Sequence, residues 1–238
     1  AEHEKAIQHV HRYLASDSRP PGITFRRGST TEVLLFGMSD GSAIKGHDSV
    51  SQLAYCFFLK LHSGTVCSRS VKASTIGTAP SDIELKAIVL AFKKGIFLRG
   101  LLSEIGCPQH QPTIIYTDSK TVLDQVHGDT ISSASEHLIL AINYIRDQIK
   151  LGHFLLLHVD TDRNTSDVMT KATSPAKFVP LSTALTGGHG GIAPSSSVKA
   201  SESAAQHFTK MNAKRRKLSK DPNESRVRFS KNQDDEAD

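Results

Sequence analysis

The sequence predicts an α/β domain with a five-stranded mixed sheet flanked by helices. Three strand-like segments come first, at residues 33–38, 52–61 and 65–70, and His62-Ser63-Gly64 between the last two is typical of a hairpin. From residue 80 onwards, helical and strand-like segments alternate, which is the order that gives parallel strands with helices on their faces. We therefore expect three antiparallel strands followed by parallel strand-helix units.

The strands are predicted from their apolar patterns. Residues 33–38 form a continuous apolar run, which is typical of a central strand, and they lead directly into Ser39-Asp40-Gly41-Ser42. Residues 113–117 are rich in β-branched side chains and predict the fourth strand, which ends at Asp118. Residues 154–159 predict the fifth.

The helices are predicted from apolar spacing and capping residues. A long helix is expected to begin near Pro80 and to end before Gly106, and Ser81 and Glu84 have the S-x-x-E spacing of a capping box. On local grounds alone, this box favours a purely structural role for Glu84. Further helices are expected after Ser119, from about residue 135 to 151, and from Ser166.

Composition divides the chain into three parts. Residues 1–31 carry one amphipathic helix and a break at Pro20-Pro21-Gly22, and we expect them to be the trailing helix and linker of an upstream region. Residues 32–186 form the predicted domain. Residues 187–238 are rich in Gly, Ser and charged residues and are predicted to be a disordered basic tail. The tail contains Lys214, Arg215, Arg216 and Lys217, a cluster suited to a nuclear import receptor or a polyanion, although such tracts also occur without a specific role.

Charge and cysteine usage narrow the classes of function. The totals are 29 Lys and Arg against 24 Asp and Glu; residues 187–238 hold 10 and 7 of these, which leaves 19 against 17 for residues 1–186. The predicted domain is therefore nearly neutral, and any contact with nucleic acid must be local. Three cysteines without CxxC spacing argue against a zinc site or a disulfide framework. The sequence shows no secretory or membrane-spanning pattern.

Four acids occupy matching positions in this predicted architecture. Asp40 ends the first strand, Glu84 begins the long helix, Asp118 ends the fourth strand and Asp167 begins the last short helix. If the first and fourth strands are neighbours, these positions converge at one edge of the sheet, where ligands of open α/β sheets bind. Asp118 alone could equally be an ordinary helix cap. The four together predict a site.

Clustered carboxylates repel one another, so burying them requires compensation. Two Mg²⁺ ions could supply it, because Mg²⁺ prefers carboxylate oxygens, and Mn²⁺ is a possible substitute. A pair of such ions stabilises the attacking and leaving oxygens of a phosphodiester displacement. We therefore take Asp40, Glu84, Asp118 and Asp167 as candidate metal ligands and candidate catalytic residues.

Five motifs follow one another along residues 3–185. They are His3-Glu4-Lys5-Ala6 with Arg12-Tyr13-Leu14, Ser39-Asp40-Gly41-Ser42, Asp82-Ile83-Glu84-Leu85-Lys86-Ala87, Tyr116-Thr117-Asp118-Ser119-Lys120-Thr121 and Ser166-Asp167-Val168-Met169-Thr170-Lys171. Each motif is weak alone, but their order and spacing are specific. In these motifs the chain resembles the ribonuclease H domain of copia-type (Pseudoviridae) LTR retrotransposon Pol polyproteins.

The resemblance implies a ribonuclease H-like fold and an endonuclease that cuts the RNA strand of RNA–DNA hybrids during reverse transcription. It implies that Asp40 bridges two metal ions, that Glu84 and Asp118 complete one site, and that Asp167 helps hold the other. The upstream partner would be the reverse transcriptase of the same polyprotein. The protein would work in a cytoplasmic virus-like particle, in the nucleus, or in both.

Two other functions stay open. Integrase-type strand transferases share the fold but carry their glutamate after the fourth strand, whereas Glu84 precedes it. A catalytically inactive spacer or nucleic-acid-binding module is the second alternative. The loop 160–166 lacks the histidine of cellular ribonucleases H, and Asn164 is its candidate counterpart of an asparagine in that loop. Ser42 and Ser81 are candidates for contacting 2′-hydroxyl groups, because they adjoin the predicted site.

Overall fold

The computed structural model describes residues 2–16, 22–25, 33–43, 51–59, 63–74, 79–128 and 138–188. Its helices and strands follow one another as α1 (Glu2–Ala15), β1 (Phe36–Ser42), β2 (Gln52–Phe58), β3 (Cys67–Lys72), α2 (Pro80–Glu104), β4 (Thr113–Thr117), α3 (Lys120–His127), α4 (Ile139–Lys150), β5 (Phe154–His158), α5 (Asp167–Thr170) and α6 (Pro175–Thr186). A 3-10 turn lies at Thr161–Arg163.

The five strands form one mixed sheet in the order β3-β2-β1-β4-β5. β2 pairs antiparallel with both β1 and β3, whereas β4 lies parallel to β1 and to β5. The predicted fold class is therefore confirmed, including the antiparallel beginning, the parallel second half and the central position of β1 beside β4. These strand directions are the ones that the family resemblance implied.

Helices cover both faces of the sheet. On the first face, α2, α3 and α4 pack against β1, β2 and β5 around large buried side chains such as Phe57, Phe92, Ile145 and Phe154. Phe92 and Phe154 stack with ring centroids 4.3 Å apart. The second face is covered by α5 and α6, whose Met169 and Leu185 contact the buried cluster around Met38. Strands β1, β2 and β4 are thus largely buried between helices, whereas most of the edge strand β3 is exposed.

The strand bounds differ by a few residues from the sequence-based predictions, since β1 begins at Phe36 instead of residue 33, β2 ends at Phe58 and β3 comprises Cys67–Lys72. The first strand was also expected to end at Asp40, but β1 continues to Ser42 because Gly41 and Ser42 pair with Leu53 and Gln52 of β2. α6 was not predicted, because Pro180 lies inside it. Its start and end signals are nevertheless present in the sequence, with Pro175 in its first turn and Gly187 as the left-handed residue after its last turn.

Residues 22–25 contact the sheet domain through the backbone. The Thr24 N–H donates to Thr186 O at 2.7 Å, and the Gly64 N–H donates to Thr24 O at 2.9 Å. Helix α1 touches α6 where Tyr13 meets Phe178 edge-on, with ring centroids 6.0 Å apart. Its apolar residues Ile7, Val10 and Leu14 are exposed. The assignment of residues 1–31 to an upstream region stays a prediction.

The tail from residue 189 onwards lies outside the described residues, and so does the Lys214–Lys217 basic cluster. Its predicted disorder and its predicted import signal therefore stay predictions. Within the described parts of the chain, no helix combines the length and the apolar character needed to cross a bilayer.

Replacing Gly41 by alanine should destabilise the fold and disturb the start of α2. A Cβ atom at Gly41 would lie 2.6 Å from the backbone carbon and oxygen of Ile83 and 2.8 Å from the Glu84 nitrogen, so one backbone must move. We expect a loss of roughly 1–3 kcal/mol, the usual cost of overpacking, measured by urea unfolding.

Gly100→Ala is the matched control for this substitution. Gly100 lies inside α2, and a Cβ there would meet nothing within 4 Å. Since alanine favours helices over glycine, this change should stabilise by roughly 0.5–1 kcal/mol. Equal effects of the two substitutions would contradict the close approach of β1 and α2.

Removal of residues 189–238 should leave the melting temperature nearly unchanged. The tail has too little aliphatic content to offset the chain entropy of ordering it. The cut is placed after Gly188 because the Gly187 and Gly188 N–H groups donate to Ala184 O and Thr183 O at the end of α6. A fall of many degrees in differential scanning calorimetry would mean that the tail packs on the domain.

Candidate active site

Asp40 lies in the part of β1 that continues past the end of its pairing with β4. Its side chain is 0% exposed. The Thr170 hydroxyl of α5 donates to Asp40 Oδ2. From the described residues, no hydrogen bond reaches Asp40 Oδ1, although that oxygen is buried. A buried carboxylate oxygen without a donor is costly, so this position is suited to a cation.

Asp118 follows the last residue of β4 and is not the cap of α3. Ser119 caps that helix, since its Oγ accepts a hydrogen bond from the Val122 N–H at 3.4 Å. Asp118 Oδ1 instead accepts from the side-chain amide of Asn164 at 3.3 Å. The same amide donates to Ser39 O at 3.1 Å, so Asn164 links the Asp118 carboxylate to β1.

Asp167 begins α5 and is held between two lysines. Its side chain is 0% exposed. Lys171, one helical turn later, brings its Nζ to 3.0 Å from Asp167 Oδ1 and to 3.7 Å from Asp40 Oδ2. Lys177 of α6 places its Nζ 2.6 Å from Asp167 Oδ2. These cations offset part of the negative charge that burial concentrates here.

Asp40, Asp118 and Asp167 form a compact triad. Each offers one carboxylate oxygen, and the three oxygens lie within 4.8 Å of one another. The convergence follows from topology, because the carboxyl ends of the neighbouring parallel strands β1 and β4 lie at one edge of the sheet, and α5 packs against β1 and β2 there. The sequence placed these three acids together correctly.

Glu84 lies beside the triad but outside that 4.8 Å group. Its Oε2 accepts a hydrogen bond at 3.1 Å from the N–H of Gly41, the residue that follows Asp40.

The predicted capping box of Ser81 and Glu84 is wrong. The helix begins at Pro80, so the capping position is Ala79, and the acid that accepts from its N–H is Asp82, at 3.2 Å.

The pKa values of two of these carboxyl groups, Glu84 and Asp40, are raised above their ordinary values. Burial raises the pKa of Glu84 to about 9, with the charges of Asp40 and Asp118 contributing, although the Gly41 N–H opposes this shift. Burial likewise raises the pKa of Asp40 to about 6, against the hydrogen bond from Thr170. For Lys171, burial lowers the pKa, but the neighbouring Asp40 and Asp167 outweigh it and raise the net value.

This donor set fits a hard divalent cation. The triad offers converging carboxylate oxygens, and two of its buried oxygens, Asp40 Oδ1 and Asp167 Oδ1, accept no hydrogen bond from the described residues. Dications prefer such ligands. Sequence reasoning did not assign roles to the residues that hold the acids. Thr170 and Lys171 were quoted only as motif positions, and their spacing of three and four residues from Asp167 on α5 was the available signal. Lys177 carried no local signal.

Comparison with known proteins identifies relatives among transposon proteins. The Pol polyprotein of transposon RE1 from Arabidopsis thaliana is 25% identical over 177 residues, which cover 74% of this chain and 12% of the polyprotein. The Pol polyprotein of transposon TNT 1-94 from Nicotiana tabacum is 25% identical over 187 residues, which cover 74% of this chain and 13% of that polyprotein. The chain is a homologue of these Pol polyproteins. It spans about an eighth of their length, and no protein-family model matches it.

Solved structures that resemble this Pol homologue include ribonucleases H. LC11-RNase H1 in complex with an RNA/DNA hybrid is 13% identical, with a TM-score of 0.43 over 57% of this chain and 93% of that one. The foamy viral protease-reverse transcriptase in complex with an RNA/DNA hybrid is 18% identical, with a TM-score of 0.45. The match covers 64% of this chain and 22% of that one. At these identities the likeness concerns the fold alone.

Glu84→Gln should make the metal-free protein more stable, and increasingly so as the pH rises. In the folded protein the Glu84 carboxyl keeps its proton up to about pH 9, whereas its ordinary pKa is 4.5. The stability linked to this proton is fully present below pH 4.5 and is lost as the pH rises towards 9. A glutamine side chain does not ionise, so the Glu84→Gln variant does not lose this stability as the pH rises. Urea unfolding in EDTA between pH 5 and about 9 measures the difference.

Glu104→Gln is the control, because Glu104 is exposed at the other end of the same helix. We expect no comparable trend with pH for this variant. A Glu84→Gln difference that stays constant across the range would show that Glu84 ionises in the folded protein as it does in the unfolded chain.

Proposed function

We propose that this Pol homologue is a metal-dependent ribonuclease H, an endonuclease that hydrolyses the RNA strand of RNA–DNA hybrids in a copia-type retrotransposon. The observation that carries the proposal is the Asp40–Asp118–Asp167 triad, in which three carboxylate oxygens lie within 4.8 Å at one edge of a ribonuclease H-like sheet. Buried acids that repel one another lower the stability of the folded protein, so the cluster does not serve the fold itself.

The residues fit two divalent cations, Mg²⁺ or Mn²⁺. When bound, such a pair activates water as the nucleophile and stabilises the departing 3′ oxygen. Asp40, which has a buried oxygen without a donor, would help to hold both cations. Glu84 and Asp118 would complete one position and Asp167 would contribute to the other. Cation binding would also release the proton that Glu84 holds in the metal-free protein.

The neighbouring side chains would keep these carboxylates in place. Asn164 holds Asp118 against β1, and Thr170 holds Asp40 against α5. Both contacts leave at least one carboxylate oxygen available for a cation. They would therefore orient the acids before the substrate arrives, which lowers the cost of assembling the site.

The alternative functions fit the chain less well. An integrase-type strand transferase would carry its glutamate on a helix after β4, but α3 has none, and Glu136 lies outside the described residues. A non-catalytic module of the same fold is the stronger rival. The compact triad argues against it, since a spacer gains nothing from a buried charge cluster, and the activity test below separates the two.

The proposed partners follow from the same assignment. An RNA–DNA hybrid would be the substrate, and the reverse transcriptase region of the same polyprotein would help to hold it. The near-neutral charge of residues 1–186 favours such assistance, because few phosphate contacts are available to the domain alone. A virus-like particle and the nucleus are the proposed locations, the latter through the basic cluster at Lys214–Lys217.

Asp118→Asn should abolish cleavage of a labelled hybrid while leaving the fold intact. Asparagine keeps the size of the side chain but removes a negative charge from a site built around dications, so turnover should fall by at least about 100-fold. Ser119 caps α3 independently, so the helix should persist. The assay is Mg²⁺-dependent release of RNA fragments, with duplex DNA and duplex RNA as substrate controls.

Asp124→Asn is the matched control, because it makes the same change on the exposed face of α3. It should cleave at the parent rate. An Asp118→Asn protein that also cleaves at the parent rate, with contaminating nuclease excluded, would overturn the metal assignment and favour the non-catalytic module.

A further inference from the structure

Lys177 is fixed in its place by the packing of α6. It lies in the first turn of that helix, which begins after Ser174 with Pro175, and its N–H donates to Ser174 O at 3.0 Å. Further along, Leu181 is fully buried, and Leu185 packs on the second face of the sheet. The lysine is thus presented to the site by a docked helix rather than by a free loop.

The ammonium group of Lys177 contacts Asp167 more closely than Lys171 does. Its Nζ lies 2.6 Å from Asp167 Oδ2 and 3.7 Å from Asp162 Oδ1. The Lys177 side chain is 23% exposed, against 37% for Lys171. The Lys171 Nζ lies 3.0 Å from Oδ1, where it forms an ion pair without hydrogen-bond geometry, so both oxygens of Asp167 already face a cation. Partial burial limits the screening of these charges by water.

The cations are distributed unevenly over the triad. Asp167 has two ammonium groups within ion-pair distance and Asp40 has one, whereas no described lysine or arginine forms an ion pair with Asp118. A divalent cation that used Asp167 would have to approach an oxygen that already contacts a positive charge. Like charges at such distances repel, so this side of the site is the less favourable one for a metal ion.

We propose that Lys177 is a built-in counter-cation that competes with a divalent cation for Asp167 and so weakens cation binding on that side of the site. This inference rests on the proposed function, since it concerns the same acids. It predicts two opposite effects of removing the charge. The metal-free protein loses a compensating cation, and the site gains affinity for the metal ion.

Orientation of Asp167 is a less suitable role for Lys177. Asp167 is already fixed by its place in α5 and by Lys171 on the same helix. A residue that only oriented Asp167 for the metal would lower cation affinity when removed. The sign of the change therefore separates competition from positioning.

The test measures cation binding by the full chain without substrate. Wild type, Lys177→Met, Lys177→Arg and Lys93→Met are titrated calorimetrically with Mg²⁺ and with Mn²⁺, and their melting temperatures are recorded in EDTA. Lys177→Met keeps an unbranched side chain but removes the charge, whereas Lys177→Arg keeps the charge. Lys93 is exposed on α2, so Lys93→Met controls for the loss of one positive charge elsewhere.

Lys177→Met should bind the cation about tenfold more tightly, which corresponds to removing one like charge near a largely hydrated dication. Its melting temperature in EDTA should fall, and saturating Mg²⁺ should restore it. Lys177→Arg and Lys93→Met should match wild type in affinity. A Lys177→Met protein that unfolds in EDTA but folds on addition of Mg²⁺ would agree with competition.

Unchanged or weaker cation binding by Lys177→Met would overturn the inference, and so would a variant that stays unfolded at saturating Mg²⁺. Hybrid cleavage by wild type, measured in parallel, tells the two proposals apart. If wild type cleaves hybrid while Lys177→Met shows no gain in affinity, only the role of Lys177 fails. If wild type neither cleaves hybrid nor binds a cation, the proposed function fails with it.

Discussion

The concentration of negative charge at one end of the sheet is the constraint on which the rest of the structure depends. Asp40 and Asp167 are completely buried, and an uncompensated buried carboxylate costs several kcal/mol. Asp40 is compensated by the Thr170 hydroxyl, which lies 130 residues away in sequence, and Asp167 by Lys171 and Lys177. The neighbouring acids Glu84 and Asp118 accept from the Gly41 N–H and the Asn164 amide, 43 and 46 residues away. The loop after β5 and both C-terminal helices are therefore needed where they are, although none of them belongs to the sheet.

Most of the fold could be predicted from the sequence, because its elements carry strong local signals. The β-branched run of β4, the apolar run of β2 and the long apolar face of α2 each specify their element. The end of β1 could not be predicted in the same way. Ser39-Asp40-Gly41-Ser42 has the composition of a turn, but pairing with β2 keeps it extended, so tertiary contacts overrode local preference. In α6, an internal proline hid otherwise ordinary helix signals.

The sequence was sufficient to predict that the acids lie close together, but not to predict which residues form hydrogen bonds with them. Asp40, Asp118 and Asp167 could be brought together because strand direction and helix starts determine where each acid must lie. The partner of Asp118 could not be found, since Asn164 lies 46 residues away and also binds a carbonyl oxygen 125 residues away. Only the capping role considered for Glu84 was wrong, because a local capping pattern matched its spacing, whereas the helix begins at Pro80 and is capped at Ala79.

The bridge formed by Thr24, Gly64 and Thr186 fixes residues 22–25 at one end of the sheet. It ties them to the end of α6 and to Gly64, which lies between β2 and β3, near the strand end where Phe58 pairs with Phe36. Asp40 lies towards the opposite end of the same strands, where it pairs with Ala54. Residues 22–25 are thus anchored away from the Asp40 carboxylate, and a molecule that approaches the acids from that end of the sheet would not have to displace them.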